Sequence, residues 1–169
     1  PLRELQGMKL GIVGYGDIGQ RVAEIARFFG MEILIAERPE SAPRPGRLPV
    51  TEVLARSDIL TLHCPLTSDN AKLINAKTLG QMQRGAFLIN TARGGLIDEQ
   101  ALVEALREKK LGGAALDVLS VEPPPADHPL LQAQLPNLIL TPHCAWASAE
   151  ARQRVIDQTA ENIAQHKKH

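Results

Sequence analysis

The chain has 169 residues, 44% of them hydrophobic and 22% charged, enough for one ordinary globular domain with a sizeable core. Nineteen basic residues balance nineteen acidic ones, so the overall electrostatics argue against nucleic acid or an anionic membrane surface as a partner. Two cysteines, Cys64 and Cys144, make neither a disulfide framework nor a zinc-finger spacing, and no apolar run reaches membrane length. The expectation is a cytoplasmic protein with no structural metal.

The first element is an apolar run, Met8-Lys9-Leu10-Gly11-Ile12-Val13, followed at once by Gly14-Tyr15-Gly16-Asp17-Ile18-Gly19 and a helix-like stretch. A strand, a glycine turn and a helix in that order read as a dinucleotide-binding turn. Gly14 permits the tight turn, Gly16 leaves no Cβ between backbone and pyrophosphate, and Gly19 lets the helix lie close to the sheet. Phosphates then meet N–H groups at a helix N-terminus. The second strand, Met31 to Ala36, ends in Glu37, eighteen residues past Gly19, where a ribose-binding carboxylate belongs. Arg38 beside it is suited to a 2′-phosphate, so the expected cofactor is NAD with NADP as the lesser alternative.

Further strands are expected at about 58–62, 85–90, 112–117 and 137–141, after the first two at 8–13 and 31–36, with helical patterns between most of them. Alternation of this kind defines an α/β fold with a doubly wound parallel sheet. The strands are apolar on both faces, which predicts helices covering each side. Two proline-rich stretches, Pro39 to Pro49 and Glu122 to Pro129, read as loops within one domain. The last helix is expected from about Ser148 to Gln165, capped by Ser148.

Three polar residues follow the carboxyl ends of later strands, where open parallel sheets bind ligands. Arg93 follows Ile89-Asn90-Thr91-Ala92 and precedes Gly94-Gly95, and its planar fork of donors suits a carboxylate. Glu122 precedes three prolines, and His143 follows Thr141-Pro142. Each alone reads as a solvated or structural residue. Together they make an acid–base set in which a carboxylate holds one proton of a histidine and an arginine orients an anionic substrate. His63 is a candidate cofactor contact, whereas His128, His166 and His169 read as loop or tail residues. Neither cysteine carries a signature of an activated nucleophile, and Trp146 reads as a packing or interface residue.

Gly14-Tyr15-Gly16-Asp17-Ile18-Gly19, His63-Cys64-Pro65-Leu66-Thr67, Asn90-Thr91-Ala92-Arg93-Gly94-Gly95, Ala115-Leu116-Asp117-Val118-Leu119-Ser120-Val121-Glu122-Pro123 and Thr141-Pro142-His143 together resemble the NAD-dependent D-2-hydroxyacid dehydrogenases. The run from Thr141 to Ser148 is most similar to the glycerate dehydrogenase, or hydroxypyruvate reductase, branch. The resemblance implies a Rossmann-type NAD-binding domain over residues 1–169. It also implies Arg93 on the substrate carboxylate, Glu122 supporting the histidine, and His143 as proton donor or acceptor beside the cofactor. Asp117 is implied near the nicotinamide end, Thr91, Ala92 and Arg93 near its ribose, and His63, Cys64 and Pro65 along the adenosine side. Members of the family have a second lobe that closes over the cofactor and are homodimers through the cofactor lobe. The expectation is therefore a cofactor lobe without its lid, with little turnover alone on a 2-hydroxy or 2-keto acid. The competing expectation is a non-enzymatic NAD sensor or corepressor-like protein-binding module.

Overall fold

The computed structural model describes residues 3–37 and 44–166. Six strands, β1 (Lys9–Val13), β2 (Glu32–Ile35), β3 (Ile59–Leu62), β4 (Ala86–Asn90), β5 (Leu111–Leu116) and β6 (Leu138–Leu140), form one sheet in the order β2-β1-β3-β4-β5-β6. Every pairing is parallel. Parallel neighbours need crossovers, and the helices α1 (Asp17–Phe28), α2 (Val50–Arg56), α3 (Ala76–Gln81), α4 (Glu99–Arg107) and α5 (Pro129–Gln132) lie in them. A sixth helix, α6 (Ala149–His166), closes the chain. The chain runs outward from β1 to β2, then returns to place β3 on the other side of β1. That reversal opens a crevice at the carboxyl ends of β1 and β3.

Local chemistry sets the helix ends. Asn75 caps α3 by accepting from the Lys77 and Thr78 N–H groups, and Asp98 caps α4 through Ala101 N–H. The Ser148 hydroxyl accepts from Ala151 N–H at 3.2 Å at the start of α6. Ile25, Ala26 and Arg27 carbonyls at the end of α1 are taken by Phe29 and Gly30 N–H groups, and Gly30 has φ 76°.

The two faces of the sheet differ. On one, Leu60, Leu62, Leu88, Ala114 and Leu116 join Val53, Leu54, Leu79, Leu102 and Leu106 from α2, α3 and α4 in the larger core. On the other, α1 packs Ala23 and Ala26 on Leu10, Ile12 and Met31. Strand register places Ile12, Thr61, Ile89, Ala115 and Ile139 in one row on this second face. Ile12 is fully buried, whereas Ile139 is 64% exposed and Phe87, one row over, is 42% exposed. Helices flank both faces as expected, but unequally. Among the described residues α1 alone shields that face, because α5 is a single turn and no residue of α6 is buried.

Candidate functional site

The crevice at the strand-order reversal is a cleft of about 400 Å³ whose walls include Val13, Gly14, Tyr15, Gly16, Glu37 and His63. Gly14 has φ 94°, and a Cβ there would stand 2.5 Å from the His63 carbonyl and the Cys64 amide, so the first turn requires glycine. A Cβ at Gly19 would meet the Gly14 carbonyl oxygen at 2.3 Å, which fixes how closely α1 approaches the turn. Gly16 differs. No protein atom lies within 4 Å of its would-be Cβ. Its side-chain position faces the open cleft, at the N-cap of α1, where the first intrahelical bond runs from Gln20 N–H to the Gly16 carbonyl. The N–H groups of Asp17, Ile18 and Gly19 precede that bond, which is the arrangement that holds phosphate oxygens. The Asp17 and Ile18 side chains themselves point to solvent.

Glu37 stands at the end of β2 on the wall of the cleft. Its carboxylate accepts from the Arg44 backbone N–H at 3.0 Å and from the Arg44 guanidinium, with Nε at 3.0 Å and Nη2 closer still. Arg38 lies outside the described residues. Among the described residues the arginines that line the cleft beside Glu37 are Arg44 and Arg47, the latter 4.6 Å over the Tyr15 ring. The bridge Ala36–Leu48 folds their loop back onto β2. No signal in the sequence distinguished these two from other loop arginines.

His63, Cys64 and Pro65 follow β3 and line the same cleft. Thr61 Oγ1 and His63 Nε2 lie 2.9 Å apart, and burial holds the His63 ring below the usual histidine range. Burial likewise pushes the Cys64 thiol up, the opposite of what an attacking thiolate needs.

At the far end of the same sheet edge, β4 runs into the Thr91-Ala92-Arg93 turn. The buried Asn90 side chain shapes it, accepting from Ala92 N–H at 3.0 Å and donating to the Arg93 carbonyl at 2.9 Å. The Arg93 guanidinium is exposed and donates to the Ala92 carbonyl at 2.6 Å. Asp117, at the end of β5, is buried, and its carboxylate accepts from Thr141 Oγ1 at 2.5 Å, Cys144 N–H at 3.0 Å and Ala145 N–H at 2.9 Å. Burial pushes its pKa up, but these bonds outweigh burial and leave it below the usual aspartate range. The acid thus clamps the loop on both sides of His143.

His143 Nδ1 stands 2.6 Å from Glu122 Oε2. The other carboxylate oxygen, Oε1, accepts from Leu119 N–H at 2.8 Å, and this bond, followed by that to His143, holds Glu122 below the usual glutamate range. His143 has φ 49°, a left-handed conformation rare outside glycine, and the Trp146 indole N–H donates to its carbonyl at 2.7 Å. Strained backbone at a histidine–carboxylate contact is a mark of functional loops. Trp146 is thereby assigned a task that its sequence position did not reveal. His128 stands in a loop as expected, yet it is buried at 4% exposure, caps α5 through its ring, and lies 3.1 Å from Glu99.

Among the described residues no three His, Cys, Asp or Glu side chains gather as a metal site, and no helix is long and apolar enough to cross a membrane.

A parallel sheet with a glycine turn and helix N-terminus at its reversal, and a carboxylate closing the next strand, defines a dinucleotide-binding domain of the Rossmann type. The model of the D-isomer specific 2-hydroxyacid dehydrogenase NAD-binding domain matches residues 1–145, and the chain belongs to that family. It is 46% identical over 163 residues to a glycerate dehydrogenase of Methylorubrum extorquens, an alignment covering 96% of this chain and 51% of the relative. Among solved structures it superposes on a D-isomer specific 2-hydroxyacid dehydrogenase of Lactobacillus delbrueckii ssp. bulgaricus in its NAD complex. That match has a TM-score of 0.86, 29% identity, and covers 96% of this chain and 55% of the other. It also superposes on an acyclic imino acid reductase, Bsp5, in complex with NADPH and D-Arg, with TM-score 0.86 and 38% identity over 97% and 52% of the two chains. The chain spans about half the length of the curated relatives it matches.

Proposed function

We propose that this chain is the cofactor lobe of an enzyme that interconverts a 2-keto acid of the hydroxypyruvate type and the corresponding D-2-hydroxy acid. The observation that carries the reading is the 2.6 Å contact between His143 Nδ1 and Glu122, on the sheet edge that also bears the glycine turn. With Nδ1 engaged by the carboxylate, Nε2 is the atom left to give a proton to a substrate carbonyl oxygen or take one from a hydroxyl. Glu122 fixes the ring's tautomer and orientation. Arg93 binds the substrate carboxylate through its paired N–H groups after leaving the Ala92 carbonyl.

The residues that would hold the dinucleotide are the Gly14–Gly19 turn and the first N–H groups of α1 for the pyrophosphate. Glu37 would take the adenosine ribose, and His63, Cys64 and Pro65 the adenosine side. Thr91, Ala92, Asp117 and His143 would lie along the nicotinamide half. When bound, the nicotinamide supplies or accepts the hydride. The Glu37 carboxylate favours NAD by accepting from ribose hydroxyls and repelling a 2′-phosphate.

On this reading a second lobe completes the substrate pocket and excludes water, so the 169-residue chain alone binds cofactor with little turnover. The chain works in the cytoplasm as a homodimer that covers exposed apolar residues such as Phe28, 88% exposed on α1. A pure NAD sensor has no chemical need for the Glu122–His143 relay. Calorimetric titration of the chain with NADH and with NADPH tests the reading: tighter binding of NADH supports it, and no binding of either overturns it. Hydroxypyruvate reduction by the full-length protein is the matching test of activity.

A further inference from the structure

We propose that Glu99, in the first turn of α4, is a positioning residue that ties the Arg93 turn to the loop carrying Glu122 and so sets Glu122 beside His143. The inference rests on the reading of Arg93, Glu122 and His143 as one reacting set. It starts from a close packing. A Cβ on Gly94 would stand 1.9 Å from the Leu119 carbonyl carbon and 2.3 Å from Ser120 N, so the peptide joining Leu119 to Ser120 lies directly on the residue after Arg93. Packing alone leaves that peptide able to slide. The Glu99 carboxylate stops it: Oε1 accepts from Ser120 N–H at 2.8 Å, and Oε2 accepts from the Ser120 hydroxyl at 2.5 Å.

A third donor completes the anchor. His128 Nδ1 accepts from Leu130 N–H at 3.3 Å, which puts the ring proton on Nε2, and Nε2 faces Glu99 Oε2 at 3.1 Å. The side chains of Glu99 and His128 are 10% and 4% exposed, so the bond between them is shielded from water, while the Ser120 bonds reach the surface. The loop is thus held at both ends, by Ser120 and by His128, from one carboxylate on the helix that follows the Arg93 turn. One peptide before Ser120, the Leu119 N–H bonds Glu122, whose other oxygen holds His143. Displacing Ser120 therefore moves the donor that aims Glu122.

A carboxylate that merely staples a loop predicts loss of stability and nothing else. A positioning role predicts a change at Glu122. In E99Q one oxygen can still accept from Ser120 N–H, but the amide NH2 confronts the His128 Nε2–H donor and forces the Ser120 hydroxyl to turn from donor to acceptor. S120A removes only the hydroxyl bond of an exposed residue and serves if E99Q does not fold. V53A, in the core far from the loop, provides a folded control that is destabilised for an unrelated reason. The test is carboxyl-carbon NMR titration of the chain labelled at glutamate. The expected result is a higher Glu122 midpoint in E99Q, a smaller rise in S120A, and the wild-type midpoint in V53A. In the full-length protein E99Q should lower kcat for hydroxypyruvate about tenfold with KM for the dinucleotide unchanged, the cost of a sub-ångström misplacement. A wild-type Glu122 midpoint in folded E99Q, or in S120A if E99Q is unfolded, overturns the proposal. Absence of turnover in the wild-type full-length protein would count instead against the dehydrogenase reading, because the NMR result does not depend on it.

Discussion

The Trp146 indole N–H donates to the main-chain carbonyl of His143 at 2.7 Å, and the histidine it holds is in the left-handed region at φ 49°. Such a conformation costs on the order of 1–3 kcal/mol for a residue with a Cβ and persists only when its surroundings impose it. Here Asp117 holds the peptide groups after His143 and Trp146 holds its carbonyl. Trp146→Phe keeps the ring and removes the donor, so it should reduce kcat of the full-length protein about five- to tenfold, the effect of one hydrogen bond. Global stability should fall by less than about 1 kcal/mol, because the ring is mostly exposed. Steady-state kinetics beside a denaturant melt separate the two effects.

The three glycines of the turn should divide cleanly. Gly14→Ala and Gly19→Ala each force a Cβ into backbone atoms at 2.5 Å or less, and should destabilise the fold by several kcal/mol. Gly16→Ala meets no protein atom, so its melting midpoint should stay within the range of a cap substitution, about 1 kcal/mol. Its dinucleotide affinity should nevertheless drop at least about tenfold, the loss of roughly 1.4 kcal/mol. Calorimetry on folded Gly16→Ala decides this, and wild-type affinity would show that pyrophosphate does not pass over Gly16.

Cofactor choice should turn on Glu37 and its neighbour Arg44. Glu37→Gln removes the negative charge while leaving an acceptor for ribose, and should narrow the preference for NADH over NADPH by about tenfold. Arg44→Ala removes one cation that pairs with Glu37 and should widen the preference, since less positive charge then offsets repulsion of a 2′-phosphate. Equal ratios in wild type and both variants would remove Glu37 from the selection.

Acid sensitivity follows from Glu122 and Asp117. Both have folded-state pKa values below their ordinary ones, Glu122 through the Leu119 N–H and His143, and Asp117 through donors that outweigh its burial. The unfolded chain therefore binds these protons more readily. The stability they add is present in full above pH about 4.5, and is lost as pH falls through the lower folded values. Thermal midpoints measured from pH 6 down to pH 3 should fall more gently in Glu122→Gln than in wild type.

Much of this architecture could be read from residue order. Each strand lies within one residue of its expected bounds, because buried parallel strands are short apolar runs punctuated by glycine, proline and acid. The glycine turn and Glu37 followed from a spacing that geometry imposes. What was not legible depends on contacts across the fold. Arg44 reaches Glu37 only because Leu48 pairs with Ala36. The burial of His128 and its contact with Glu99, twenty-nine residues earlier, could not be read from its place in a loop. Helices on both faces were legible, but their unequal extent was not, because apolar character in a strand records that something packs there and not how much.

The unequal division of apolar packing about the sheet has a dynamic consequence. α1 is anchored by a cluster of five buried residues, whereas α2, α3 and α4 share the far larger one. Opening free energies follow local burial, so backbone amides of α1 should exchange with deuterium sooner than those of α4. The helix whose first N–H groups are proposed to meet pyrophosphate is thus in the looser half of the domain. A dinucleotide bound there would slow exchange most along α1, and the protection gained would report occupancy of the cleft without any chemistry taking place.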